Sequence, residues 1–311
     1  MKKILSLILV MMLCAMLMVP AMAEADYTIV VNLKTLSSEY WQTVKKGIDK
    51  AAEELNMKIE VQGPAAESEI QEQVSQIETQ VAQAPDAIII APDDGDAVIG
   101  ALDASGYEGV IVAVDTAIRY SADGSFYEKQ LSYVGTSNEE AAYGGGVYGV
   151  AIKGADTKAL IIYGQEGDNT SNERKAGYER ALAEAGLEPV AALSGNNTTD
   201  GATKVMEDQL NAHPEINLVL CHNDDTALGA LNAIQAAGVE GISIIGFDGN
   251  ISAIELIPSG DITATIAQDP EGMGYTSVYT ALSLLKGETV EPVISAPTTI
   301  IDAANAADYL G

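Results

Sequence analysis

From Tyr27 onward the sequence alternates short β-rich runs with helical periods, and it does so twice, which constrains the fold more than any other feature. Residues 27–33 (YTIVVNL) lead into a helical stretch at 39–56, then a short run at 58–61 and a second helix at 67–83. In that helix Ile70, Val74, Ile77 and Val81 share one face of a 3.6-residue period. The run at 86–90 (DAIII) lacks polar alternation, as suits a strand covered on both faces. A helix at 97–105 and the run GVIVAV at 109–114 complete the first series. After the turn-rich stretch 120–129 the pattern restarts, with strands at 159–163, 190–193, 217–221 and 243–246 and helices at 139–153, 171–185, 201–212 and 226–237. Gly186 and Gly238 directly follow helical runs, where a left-handed cap residue sits. Two such series predict an α/β chain of two similar lobes, each a doubly wound parallel sheet, with a cleft between the carboxyl edges of their strands. The segment after Thr263, with a helix at 271–285, is too short for a third domain and is expected to return to the first lobe.

Residues 1–23 stand outside this pattern. Lys2 and Lys3 precede an apolar run that ends at Pro20, and Ala21-Met22-Ala23 has the small-x-small form of a cleavage site. We read a cleaved secretory signal peptide, because the apolar run is shorter than the roughly 20 residues a spanning helix needs. Cys14 lacks the small preceding residues of a lipid-attachment site. The mature chain then keeps Cys221 alone, so an exported protein gains no internal disulfide and relies on packing. The full chain carries 45 acidic against 16 basic side chains, a net charge of −29. Removing two lysines and no acid takes the charge to −31, which excludes nucleic acid and anionic membrane as partners. Most of these carboxylates are expected to be solvated, keeping an exported monomer soluble.

Enzymatic constellations are missing. The two histidines, His213 and His222, show no zinc-site spacing, and no GxSxG elbow, Walker loop or GxGxxG follows a strand. His213 reads as a helix end, Gly144-Gly145-Gly146 as close helix packing, and Asp93-Asp94-Gly95-Asp96 as a helix N-cap rather than a calcium loop. His222 beside Asn223 and Asp224 is the one arrangement an enzyme could use. No catalytic residue, metal or cofactor is expected.

Polar residues recur instead just past the strand ends, where an α/β cleft holds its ligand. They are Ser37 to Trp41, then Asp115 and Thr116, then Asn169 to Arg174, Asn196 and Asn197, His222 to Asp225, Asp248 to Asn250, and Gln268 with Asp269. A carboxylate such as Asp115 or Asp248 accepts from two neighbouring hydroxyls, and Asn197, Asn223 and Gln268 donate and accept together, which matches a polyhydroxylated ligand. Tyr40 or Trp41 can cover the apolar face of a sugar ring. Trp41 also fits as a core residue of the first helix, and Asp248 as a turn residue before Gly249.

The segments TIVVNLKTLSSEYWQTVKKGIDKAAEEL and HPEINLVLCHNDDTALGALNAIQAAG, the tripeptide Gly246-Phe247-Asp248 and ITATIAQDP carry a resemblance to the ribose-type group of periplasmic sugar-binding proteins that serve ATP-binding cassette importers. The resemblance spans the mature chain in order. It implies the type I periplasmic binding protein fold, two Rossmann-like lobes joined by three crossover strands near Thr136, Gln268–Asp269 and 296–298. The lobes would be 24–135 plus 269–296 and 136–268 plus 297–311. It also implies a non-enzymatic solute receptor in the periplasm or another extracytoplasmic location, closing on a monosaccharide-like ligand and delivering it to a membrane permease. A chemoreceptor or sensor kinase is the alternative partner, and a furanosyl signalling molecule or nucleoside the alternative ligand. By position it points to Ser38, Tyr40, Trp41, Asp115, Asn223, Asp248 and Gln268. Thr116 and Asn172 stand where ribose binders place arginines, with Arg174 the candidate replacement, and Asn197 stands for an aromatic. Two lost guanidinium forks argue for the sugar class rather than for ribose itself.

Overall fold

A computed structural model describes residues 27–310; the signal-peptide reading, with Cys14, lies outside the described residues. The chain forms two six-stranded sheets. The first takes β1 (Ile29–Asn32), β2 (Glu60–Gln62), β3 (Ala87–Ile90), β4 (Val110–Val114), β5 (Gln130–Thr136) and β11 (Val293–Ala296), in the order β11-β5-β4-β3-β1-β2, all parallel. The second takes β6 (Ala159–Tyr163), β7 (Ala191–Ser194), β8 (Leu218–Cys221), β9 (Ser243–Asp248), β10 (Ala264–Ala267) and β12 (Thr299–Asp302), in the order β12-β10-β9-β8-β6-β7. The helices between them are α1 (Glu39–Glu54), α2 (Ile70–Val81), α3 (Gly95–Ser105), α4 (Asn138–Lys153), α5 (Asn169–Glu184), α6 (Thr199–Ala212), α7 (Asp224–Ala237), α8 (Ile251–Ile254) and α9 (Pro270–Leu285).

The central strands of each sheet are buried on both faces, so their successive residues feed different cores. Val31, Ile89 and Val112 pack with Trp41, Val44 and Ile48 of α1, whereas Val30, Ile88 and Ile111 pack with Ile77 of α2 and Leu102 of α3. Each such side chain contributes about 1.5–3 kcal/mol on leaving water, which explains why these runs show no polar alternation.

The segment after Thr263 does return to the first lobe. Helix α9 lies on α1 so closely that a Cβ at Gly47 would meet the Glu271 carbonyl oxygen at 1.9 Å, and one at Gly274 the Val44 carbonyl at 2.1 Å. Gly145 and Gly146 serve the second lobe in the same way, against Ile266 and against Ala181 with Tyr178, which is the helix packing expected of that run.

Four strands were not read from the residue pattern, only the resemblance implying crossovers near them: β5, β10, β11 and β12. The chain passes between sheets after β5, after β10, and between β11 and β12. Only β12 runs antiparallel to its neighbour, β10. The reason is geometric: β11 leaves the first sheet at its cleft edge, so the chain must enter the second sheet from the cleft side, opposite to the parallel strands there.

Candidate functional site

The carboxyl ends of both sheets face one another across a narrow cleft. From the first lobe it is lined by Lys34, Ser38, Tyr40, Trp41, Glu67 and Asp115, and from the second by Thr170, Arg174, His222, Asn223, Asp225 and Asp248. The cavity among these side chains is about 20 Å³, room for one water, because the lobes touch directly.

In the first lobe Ser38 caps α1, its hydroxyl accepting from the Trp41 amide at 3.4 Å, which sets Tyr40 and Trp41 in the first turn with their rings edge to face at 5.2 Å. Trp41 is only 3% exposed and belongs to the core, yet its indole N–H donates to Glu67 Oε1 at 2.7 Å on the cleft wall. The core reading of Trp41 therefore holds, and the residue also reaches the cleft wall. The Tyr40 hydroxyl donates to Asp115 Oδ1, and the Thr116 hydroxyl to Asp115 Oδ2 at 2.7 Å. Burial, with the Asp115 and Asp248 charges, raises the Tyr40 phenol well above its ordinary pKa and keeps it a donor.

In the second lobe Arg174 is the organising group. Its Nε donates to Asn138 Oδ1 at 2.9 Å, its Nη1 to the His222 carbonyl at 2.9 Å and to Asp248 Oδ1 at 3.4 Å, and its guanidinium stacks 3.7 Å from the centre of the Phe247 ring. Gln268 Nε2 donates to the same Asp248 oxygen at 2.7 Å. Burial pushes the Asp248 carboxyl well above its usual range despite Arg174. Asn223 caps α7, its Oδ1 accepting from the Thr226 amide at 2.9 Å. His222, at the end of β8, is kept neutral by burial and by Arg174, and its Nδ1 has no partner among the described residues. The neighbouring Asp224 turns away, accepting from the Asn250 amide and the Thr265 hydroxyl, both at 2.7 Å.

The backbone is strained where the site is built. Among the described residues six non-glycine residues have positive φ, and three of them are Asp115 (62°), Asn197 (59°) and Asp248 (113°). Such conformations cost of order 1–3 kcal/mol each and concentrate at ligand clamps.

Among the described residues five polar contacts join the lobes, one of them from Asn169 Nδ2 to the Ala117 carbonyl at 3.5 Å. Lys34 Nζ donates to Asp168 Oδ2 at 2.7 Å, Asn197 Nδ2 to Glu67 Oε2 at 2.5 Å, and the Ile251 amide to Glu39 Oε1 at 2.7 Å, while Arg119 and Glu173 approach to 3.6 Å. Burial opposes the charge on both Lys34 and Asp168. Their mutual attraction prevails, so the lysine is raised above its ordinary value and the carboxyl lowered below its own.

Of the residues singled out in the sequence, Ser38, Tyr40, Trp41, Asp115, Arg174, Asn223 and Asp248 line the cleft. Thr116 and Gln268 stand behind the two aspartates, and Asn197 reaches across to Glu67. Asn172 does not belong: it is exposed on the outer face of α5. Two residues along a helix turn the side chain by about 200°, so with Arg174 inward Asn172 must point to solvent. Thr170, His222 and Asp225, which fell within the polar runs past the strand ends, also line the cleft, whereas Lys34 and Glu67 were missed. Lys34 did carry the signal used for the others, a polar residue just past a strand end.

Sequence and structure comparisons agree on one group of proteins. The family model described as "Periplasmic binding protein domain" matches residues 29–289. The ribose import binding protein of Bacillus subtilis is 32% identical over 276 residues, covering 88% of this chain and 87% of the relative. Among solved structures, the periplasmic solute-binding protein of an ABC transporter from Actinobacillus succinogenes, with bound D-allose, superposes with a TM-score of 0.82 at 28% identity, over 91% of this chain and 100% of that one. A carbohydrate transporter solute-binding protein from Agrobacterium radiobacter, in complex with D-arabinose, gives 0.83 at 28% identity, over 92% and 98%.

Proposed function

The chain belongs to the periplasmic binding protein domain family, and from that membership we propose that it is an extracytoplasmic receptor that encloses a monosaccharide-like ligand between two lobes and delivers it to the permease of an ABC importer. The relatives are named as import or solute-binding proteins, and the family model and several of the relatives as periplasmic. We take the lobes as 24–135 plus 269–296 and 136–268 plus 297–311. One observation carries the reading: hydrogen-bonding side chains converge from both sheets, Tyr40 and Asp115 from one and Arg174, Asn223 and Asp248 from the other.

A ligand touching both sets favours the closed state because it has differential affinity for it. Asp248 would accept from ring hydroxyls and the Arg174 fork donate to them, with Tyr40 or Trp41 against the apolar ring face. Thr116 and Gln268 hold the two aspartates in register. Calorimetry and thermal shift against pentoses, hexoses, polyols, furanosyl compounds and nucleosides test the assignment, with Asp248→Ala as control. Stabilisation by a sugar that the variant no longer binds supports it. It fails if no such compound stabilises the protein, or if the variant binds as well as the parent.

A further inference from the structure

The cleft has an uneven charge. Its lining holds four carboxylates, Glu67, Asp115, Asp225 and Asp248, against two cations, Lys34 and Arg174. Both cations are engaged by the protein itself. Lys34 is only 3% exposed and closes a 2.7 Å pair with Asp168, which adds a fifth carboxylate behind the wall. Arg174 is committed to Asp248, Asn138 and the His222 carbonyl. Glu67 is held by two neutral donors, the Trp41 indole and the Asn197 amide, and Asp115 by two hydroxyls. No cation within ion-pair distance serves Glu67, Asp115 or Asp225 among the described residues. The one imidazole in the lining, His222, is neutral and leaves its buried Nδ1 unpartnered. Thus three carboxylates and a neutral ring face a confined space without an ion-paired cation, Lys34 attracting Glu67 and Asp115, and Arg174 attracting Asp115, only from beyond pairing distance.

Resting on the sugar-receptor reading, we propose that this cleft selects a cationic polyol, a sugar or cyclitol bearing a free amino group, and discriminates against anionic sugars. An ammonium supplies three donors and one positive charge to acceptors that lack both, and between low-dielectric walls that charge is worth far more than in water. A uronate or sugar phosphate would add negative charge to a site that already has an excess. Burial raises the carboxyls of Glu67, Asp225 and Asp248 above their usual range. A bound cation pulls them back toward ionisation.

The test is calorimetry on matched pairs at low salt: D-glucose with D-glucosamine, D-galactose with D-galactosamine, and D-allose with 2-amino-2-deoxy-D-allose, with the N-acetylated sugars and D-glucuronate as further arms. At least one amine is expected to bind about ten-fold or more tighter than its neutral parent. N-acetylation should abolish the gain. Glu67→Gln and Asp225→Asn, each verified as folded by thermal melting, should narrow the amine-to-neutral ratio toward one. Neutral parents that bind as tightly as their amines overturn this inference and leave the sugar reading intact. Failure of every neutral and amino sugar to bind overturns both.

Discussion

Lys34 and Asp168 form a buried ion pair across the lobe boundary, and replacing Lys34 by Met should shift the balance between open and closed forms. The two side chains are 3% and 2% exposed and 2.7 Å apart. Removing one member of a buried pair costs about 3–5 kcal/mol, mostly because the remaining charge is left uncompensated. In an open form both groups regain water, so the loss falls on the closed state alone. Taking the lower figure, ligand affinity should drop by about a hundred-fold, and small-angle scattering of the ligand-free variant should show a larger radius of gyration.

Lys34 also lines the cleft, so a direct contact with ligand must be told apart from the pair. The double variant Lys34→Met/Asp168→Asn does this. Asn still caps α5, where Asp168 accepts from the Thr170 amide at 2.9 Å, while the stranded charge is gone. Recovery of about ten-fold or more relative to the single variant is expected. The pair's contribution is fully present above the ordinary aspartate pKa and is lost as pH falls through the lowered folded value. On the basic side it is fully present below the ordinary lysine pKa and lost as pH rises through the raised one. In the variant burial raises the stranded Asp168 carboxyl with no lysine to oppose it, so the affinity ratio of parent to variant should hold from neutral pH to about pH 10 and shrink toward acid as that carboxyl takes a proton. The reasoning is refuted if Lys34→Met keeps affinity within about three-fold, or if the double variant recovers nothing.

Arg174→Lys loses the fork that serves Asp248 and Asn138 together and should weaken sugar binding by about ten-fold or more in calorimetry, whereas Asn172→Ala, on the outer face of the same helix, should bind like the parent. Asp93 is buried with neither carboxylate oxygen partnered among the described residues, and burial pushes its pKa up to about 9. The unfolded chain ionises first as pH rises, so this group disfavours folding by up to about 1.4 kcal/mol per pH unit between its unfolded and folded pKa values. Thermal melts of Asp93→Asn should accordingly gain on the parent from pH 5 toward pH 9 and show no such trend below pH 4; a pH-independent gap would contradict this. Gly47→Ala forces a methyl to 1.9 Å from the Glu271 carbonyl and should cost about 1–3 kcal/mol in urea unfolding. Gly144→Ala, in the open on α4, should instead gain up to about 1 kcal/mol.

The lobes were legible because their information is local. A strand buried on both faces must be apolar throughout, and Ile88, Ile89 and Ile90 are so whatever surrounds them. The strands β11 and β12 escaped notice for the converse reason: VISA and TIID lie at sheet edges, where partial exposure permits polar residues. The site divides along the same line. Asp115, Asn223 and Asp248 follow strand ends within their own lobe, so strand position alone brought them to the cleft. Glu67 follows no such end directly; it lies in the β2–α2 loop of a chain with 45 acidic residues, where a carboxylate reads as surface. What buries it is Asn197, 130 positions away, and what buries Lys34 is Asp168, 134 positions away. Neither partner can be inferred from periodicity, because both contacts exist only once the two finished lobes meet. The groups missed are thus largely those that depend on closure, and substitutions at them should affect closing more than folding.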